Sequence, residues 1–231
     1  MSKVAKLIFI LVAVFVVVYF MDLGDALGDD LTNEPDTDYE VVTSINYINE
    51  SKLEADLIDL ENYAKVLSDS VFQFGTTQSK IKYFWNGKAT DIDPNTGLDR
   101  RFGQLREEDY EGTISYKPYG LDCSGFITYL FWLSGVKDFP DGSYNQYNSC
   151  SVKGAITGDL QDNVQNGTLI FRTSDGTTDP SKIDHVAIVL IDRTINQYYI
   201  YESAGGIGVR KTLLTDTTTN WVLKGTTSRI S

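Results

Sequence analysis

The chain has 231 residues, of which 42% are hydrophobic and 12% aromatic, enough apolar material for a core in a domain of about 200 residues and too much for a disordered chain. Its formal net charge is −12, from 32 acidic against 20 basic residues. Without a basic stripe, nucleic acid is excluded as a partner, and the acidic surface gives no attraction to an anionic wall or membrane.

Residues 7–21, LIFILVAVFVVVYFM, form an unbroken apolar run with Lys3 and Lys6 ahead of it and Asp22, Asp25, Asp29 and Asp30 behind. Basic residues ahead of such a run keep the N-terminus inside and send the body outside. Segment 1–28 reads either as an uncleaved signal-anchor, lengthened by Val4 and Ala5, or as a signal peptide with a small-x-small site at Ala26-Leu27-Gly28. The distance of that site from the apolar run favours the anchor. Both readings export the body, and no cysteine follows the run to carry a lipid. Residues 29–50, rich in Asp, Glu, Asn, Thr and Ser, read as an exposed acidic spacer, and 51–231 as the folded domain.

Leu53, Leu57, Leu60, Ala64, Leu67 and Val71 recur at helical spacing and predict an amphipathic helix ending near Gly75. Residues 83–103, with Pro94, Gly97 and Gly103, read as a long functional loop or a disordered insert. Residues 122–134 have the apolar density of a buried helix, and polar turns follow to about 166. Strand-like runs come next at 167–172, 184–192, 197–203 and 220–228. One central helix followed by antiparallel strands predicts an α+β domain.

Two cysteines are present, Cys123 and Cys150. A secreted disulfide framework normally uses more, so a single bridge between them is the plain alternative to a functional thiol. Cys123 falls in the predicted first turn of the buried helix, where the dipole and free N–H groups lower a thiol pKa and the thiolate is the nucleophile. Gly120 and Gly125 on either side allow a substrate close to the backbone. His185, the only histidine, opens the strand DHVAIVL. Val186, Ile188 and Leu190 share one face of that strand; His185, Ala187 and Val189 share the other. A cysteine at a helix start and a histidine at a strand start, in that order, are what a thiolate–imidazolium pair needs. A third polar group should orient the imidazole. Of Tyr201 and Glu202 in the next strand, Glu202 is the better candidate, because a carboxylate accepts the other ring N–H and Tyr201 points to the opposite face.

Taken in succession, LDCSGFITYLFW, GTLIFR, DHVAIVL and YESAGGIGV resemble the NlpC/p60 family of papain-like cell-wall cysteine peptidases. KYFWNGK (82–88) is similar to the family's Tyr-x-Trp-Gly-Gly segment, and PDGSYNQ (140–146) to its Pro-x-x-Ser-x-x-Gln segment. The resemblance covers roughly residues 64–223. It implies a papain-like α+β domain whose central helix carries the cysteine and packs on an antiparallel sheet. It implies Cys123 as nucleophile, His185 as base and Glu202 as the third group, where family members more often have His, Asn or Gln; a register one residue earlier would choose Tyr201. Tyr83 would line the site and, with the Cys123 N–H, face the oxyanion. Asp122 and Ser124 would flank substrate subsites or cap the helix. Asn86 and Ala187 stand where the family has glycine, and Thr168 where it has aspartate; none of these removes a reacting group. The implied partner is peptidoglycan, the implied reaction hydrolysis of the stem-peptide amide between D-glutamate and the diamino acid, with no cofactor and no metal. The alternatives are an amidase cutting between the sugar lactyl group and L-alanine, and a surface binding module with a vestigial dyad. A further expectation is an extracytoplasmic enzyme held to the membrane by its apolar segment, or secreted after cleavage, cutting wall for assembly of a surface machine.

Overall fold

The computed structural model describes residues 41–42 and 55–230. The apolar run 7–21, with its signal-anchor reading, and all but two residues of the stretch 29–50 lie outside the described residues. Among the described residues no helix is long and apolar enough to cross a membrane.

Strand β1 (Val41–Val42) is followed by helix α1 (Leu57–Asp69). Asp56 caps the helix, its carboxylate accepting from Ile58 N at 2.9 Å. Leu60, Ala64 and Leu67, the expected apolar stripe, are buried. The helix ends at Asp69 rather than near Gly75, because Ser70 is extended and Val71–Phe74 form β2. Val71, expected as the last residue of the stripe, is β-branched and takes its place in a strand. β2 turns back at Gly75 (φ 60°) into β3 (Thr77–Ser79), and β1 runs parallel to β2, Val41 beside Val71. Two residues of the expected spacer are therefore paired strand.

Residues 83–103 form an ordered loop, not a disordered insert. Its hub is the buried Asp99, which accepts from Thr90 N (2.7 Å), Asp91 N (2.9 Å), Arg101 N (2.9 Å) and the Arg101 guanidinium. Leu98 and Phe102 from the same loop enter the core. The hairpin β4 (Leu105–Tyr110) and β5 (Thr113–Pro118) follows, then the central helix α2 (Cys123–Leu133). The stretch expected as polar turns contains a short helix α3 (Ser143–Ser149) and strand β6 (Val152–Ala155). α3 is polar apart from two tyrosines, and β6 is only four residues long and mostly exposed, so neither carries an apolar pattern that would predict it.

The remaining strands are β7 (Thr168–Thr173), β8 (Ile183–Asp192), β9 (Gln197–Ala204), β10 (Gly208–Leu213) and β11 (Leu223–Thr226). With β6 they form one six-stranded sheet in the order β10-β9-β8-β7-β11-β6, every pair antiparallel. The central strand β8 is apolar on both faces. Val186, Ile188 and Leu190 meet Phe126, Ile127 and Leu130 of α2 in the main core. Ala187 and Val189 join Ile170, Ile200, Leu214 and Trp221 in a second core on the far face. Burial on both sides is what makes its sequence a continuous apolar run. The protein is an α+β domain with the cysteine helix laid against an antiparallel sheet.

Candidate active site

The site is built where the start of α2 meets residues 82–87. Leu121 lies alongside Tyr83 as an isolated bridge, with Leu121 N donating to Lys82 O (3.0 Å) and Asp122 N to Gly87 O (3.1 Å). A Cβ on Gly120 would stand 1.8 Å from Lys82 O, and one on Gly125 2.1 Å from Gly87 O. These glycines therefore admit the chain's own segment, not a substrate as the sequence suggested. Asn86 sits at φ 58°, a left-handed conformation that asparagine tolerates better than most residues. That explains how the departure from glycine there is accommodated.

Asp122 is the N-cap of α2, its carboxylate accepting from Gly125 N (2.6 Å) and the Ser124 hydroxyl (2.9 Å). Asp122 and Ser124 are both buried; Asp122 takes the capping role, and Ser124 supports the cap through its hydroxyl. Lys88 and Asp141 form an ion pair beside them, with Asp141 3.4 Å from the Ser124 hydroxyl. Burial and then the Asp141 charge push the Asp122 carboxyl up, against the hydrogen bonds that lower it.

Cys123 is the first residue of α2 and 8% exposed. Burial pushes its thiol up to about 12, the Asp122 carboxylate pushes the same way, and the N–H groups of Val186, Ser124 and Cys123 itself oppose them without winning. The expected thiolate at the helix start is thus not made by the helix alone. A helix terminus contributes about 0.3–1 kcal/mol, against several for burying an ion. The thiol needs a base. Val186 immediately follows His185 on β8, and its N–H reaches the Cys123 sulfur, so the thiol lies against the start of the strand that carries the imidazole.

His185 Nε2 is 2.6 Å from Glu202 Oε2 on the neighbouring strand. The other Glu202 oxygen, Oε1, accepts from Arg210 Nε (3.0 Å) and Nη2 (2.7 Å). Burial alone would raise the Glu202 carboxyl, but His185 and Arg210 hold it below the usual carboxylate range. The imidazole also stacks on Trp221, ring centres 5.6 Å apart and 26° from parallel. Tyr201 points to the opposite face and is buried in the main core. With Nε2 engaged by Glu202, Nδ1 is the nitrogen left to take the thiol proton.

Tyr83 is half-buried, and its phenol is pushed up first by burial, then by the nearby Cys123 and Asp122, so it borders the thiol. The β4–β5 hairpin adds to this rim: Tyr110 packs edge-on to Trp85 at 5.0 Å, and Glu108 accepts from Trp85 N at 2.7 Å. Gln146 of α3 donates to Ser124 O (2.9 Å) and Pro140 O (3.0 Å), tying α3 to the start of α2. Thr168, in place of the family aspartate, accepts from Gln165 N at 3.0 Å and closes the turn into β7. Cys123 and Cys150 are both free thiols, with no bridge between them. Sequence reasoning missed Arg210, Trp221, Tyr110 and Glu108. Only Arg210 left a trace, as a cation following an acid across the Gly205-Gly206 turn.

The cysteine helix laid on an antiparallel sheet, with the Val186 N–H at the Cys123 sulfur and the adjacent His185 backed by Glu202, is the arrangement of a papain-like α+β domain. A search with family models matches residues 82–224 to the NlpC/P60 family, and the chain belongs to that family of cell-wall peptidases and hydrolases. The matched span runs from the Tyr83 segment into β11 and so includes Cys123, His185 and Glu202. Neither the curated proteins nor the solved structures gave a match.

Proposed function

We propose that the protein is a peptidoglycan hydrolase that cleaves the stem-peptide amide between D-glutamate and the diamino acid, with Cys123 as nucleophile, His185 as base and Glu202 as the group that orients the base. The observation that carries this reading is His185 held by Glu202 through Nε2, on the strand against which the Cys123 thiol rests. His185 Nδ1 takes the Cys123 proton as the sulfur attacks the amide carbon. The oxyanion accepts from the Cys123 N–H, with the Tyr83 hydroxyl as second donor. The imidazolium, stabilised by the Glu202 carboxylate, then protonates the leaving amine. Water, deprotonated by the same Nδ1, hydrolyses the thioester and returns the thiol. The resemblance to the endopeptidase motifs supports the choice of bond. The apolar segment 7–21 supports an extracytoplasmic, membrane-anchored placement, in which the enzyme acts on wall within reach of its tether.

The test is digestion of purified peptidoglycan by the full-length chain and by Cys123→Ala, with the released fragments identified by mass spectrometry. Fragments ending at D-glutamate that are absent with the variant support the reading. Free intact stem peptides would replace it with the amidase. No Cys123-dependent product on walls of several chemotypes would leave a binding module.

A further inference from the structure

Resting on the Cys123–His185 reading above, we propose that Arg210 is a positioning residue: its guanidinium fixes the Glu202 carboxylate so that one oxygen is reserved for His185 Nε2. Glu202 on β9 and Arg210 on β10 are directly opposed in the antiparallel register, so their side chains share a face. The division of labour between the two carboxylate oxygens is complete. Oε1 takes both guanidinium contacts, at 3.0 and 2.7 Å, and Oε2 takes the imidazole at 2.6 Å.

Two physical reasons make the cation necessary here. The Glu202 side chain is 4% exposed, and a carboxylate that far from water is costly unless paired and hydrogen-bonded. Family members more often have His, Asn or Gln at this position, and an amide there carries no charge and needs no counter-ion. The acid at 202 is thus matched by a base at 210. Secondly, a carboxylate held at one oxygen only can rotate, whereas the Nε–Nη2 grip fixes its plane. The other charged groups around His185 do not substitute for Arg210. Arg172, opposite His185 on β7, is paired with Asp184 at 3.1 Å, Cys123 faces from α2, and Trp221 is uncharged.

The consequence is a fixed tautomer. With Nε2–H donated to Glu202, Nδ1 keeps its lone pair for the thiol proton. If Glu202 is released, the Nδ1–H tautomer competes, and that form has no base facing Cys123. Because His185 is the only histidine, imidazole 15N spectra of the full-length chain in detergent report this one ring without assignment.

The expected wild-type spectrum shows neutral His185 protonated at Nε2. Arg210→Met should give a mixture of tautomers and lower kcat about ten- to hundredfold, with KM nearly unchanged. Arg210→Lys, which keeps the charge but offers a single contact point, should lie between, and it is read in the same way if Arg210→Met does not fold. Glu202→Gln should itself lower kcat, because with Arg210 holding the amide oxygen the amide NH2 faces Nε2 and favours the Nδ1–H tautomer; adding Arg210→Met to it should cost little more, because the guanidinium no longer has a carboxylate to fix. A residue that only stabilises the fold would cost the same in both backgrounds. The proposal is overturned by a pure Nε2–H tautomer in Arg210→Met and Arg210→Lys, or by equal losses from Arg210→Met in the wild-type and Glu202→Gln backgrounds. If the wild-type chain shows no Cys123-dependent hydrolysis, the peptidase reading falls while the tautomer still decides the role of Arg210.

Discussion

Replacing Gly125 by alanine sets two effects of opposite sign against each other. Alanine is favoured over glycine inside a helix by about 1 kcal/mol. The new methyl, however, would stand 2.1 Å from Gly87 O and 3.2 Å from Asp122 Oδ1, where dispersion contacts are optimal at about 3.5–4.0 Å. The obstacle is backbone, and it is already in use: Gly87 O accepts from Asp122 N at 3.1 Å. A retreat of about an ångström ends that bond. Overpacking costs about 1–3 kcal/mol, and a buried N–H left without an acceptor costs about 1–3 kcal/mol more. Sterics therefore outweigh propensity, with a net destabilisation of about 3 kcal/mol, or a fall in Tm of about 6–12 °C for a domain of this size. Tyr83 lies on the displaced segment, so hydrolysis should fall further, by about a hundredfold for a misplacement of ~1 Å. Thermal unfolding followed by circular dichroism, alongside the fragment assay, measures both. Gly154→Ala is the comparison, because a Cβ there meets nothing within 4 Å, and it should stay within about 1 kcal/mol of wild type. A Gly125→Ala protein with an unchanged or raised Tm would refute the claim that this glycine exists to admit the Gly87 carbonyl.

Asp99→Ala removes the acceptor of Thr90 N, Asp91 N and the Arg101 guanidinium; it should cost about 3 kcal/mol and open residues 88–103 to limited proteolysis, and an uncut loop would contradict the hub. Asp99, Glu108, Asp192 and Glu202 are each held below the usual carboxylate range, their cationic and hydrogen-bond partners outweighing burial. The unfolded chain therefore binds protons first. Their stabilisation is fully present above the unfolded carboxylate pKa of about 4 and is lost as pH falls through the lower folded values, so Tm should drop steeply below about pH 4. Asp122, whose carboxyl is raised, offsets this in part; a Tm flat down to about pH 3 would be inconsistent with the pairing. The Cys150 thiol is pushed up to about 12, chiefly by burial, and packs against Gly225 of β11. Cys150→Ala should keep hydrolysis within about twofold, and iodoacetamide inactivation of that variant should track one alkylated thiol.

Residue type and order made Cys123 and His185 legible as candidates, because few chemistries use a cysteine at a helix start and a histidine at a strand start. The long apolar runs were legible for a different reason: β8 is buried on both faces and α2 around most of its circumference, so burial is written directly in composition. The β4–β5 hairpin, α3, β6 and β10 were not legible. They are polar, exposed or half-buried, so they carry no periodic apolar mark; β4–β5 and β9–β10 are local hairpins, and only β6 depends on pairing with a distant strand, β11. The loop 83–103 failed for the same reason, since its order comes from one carboxylate, Asp99, gathering donors.

The electrostatics of the site were the least legible part, and Cys123 shows why. Position at a helix start argues for a thiolate, yet the same residue is closed in by α2, by β8 and by the segment that Gly120 and Gly125 admit, and burial outweighs the helix. What sets the charge state is the set of cross-strand neighbours: Val186 beside the sulfur, Glu202 behind His185, and Arg210 behind Glu202. Each follows from sheet register, and a one-residue slip of β9 would replace Glu202 by Tyr201 and turn the carboxylate into the core. Burial favours the protonated thiol, so on the reading proposed above the chemistry depends less on the helix that carries Cys123 than on the three strands that hold His185, Glu202 and Arg210.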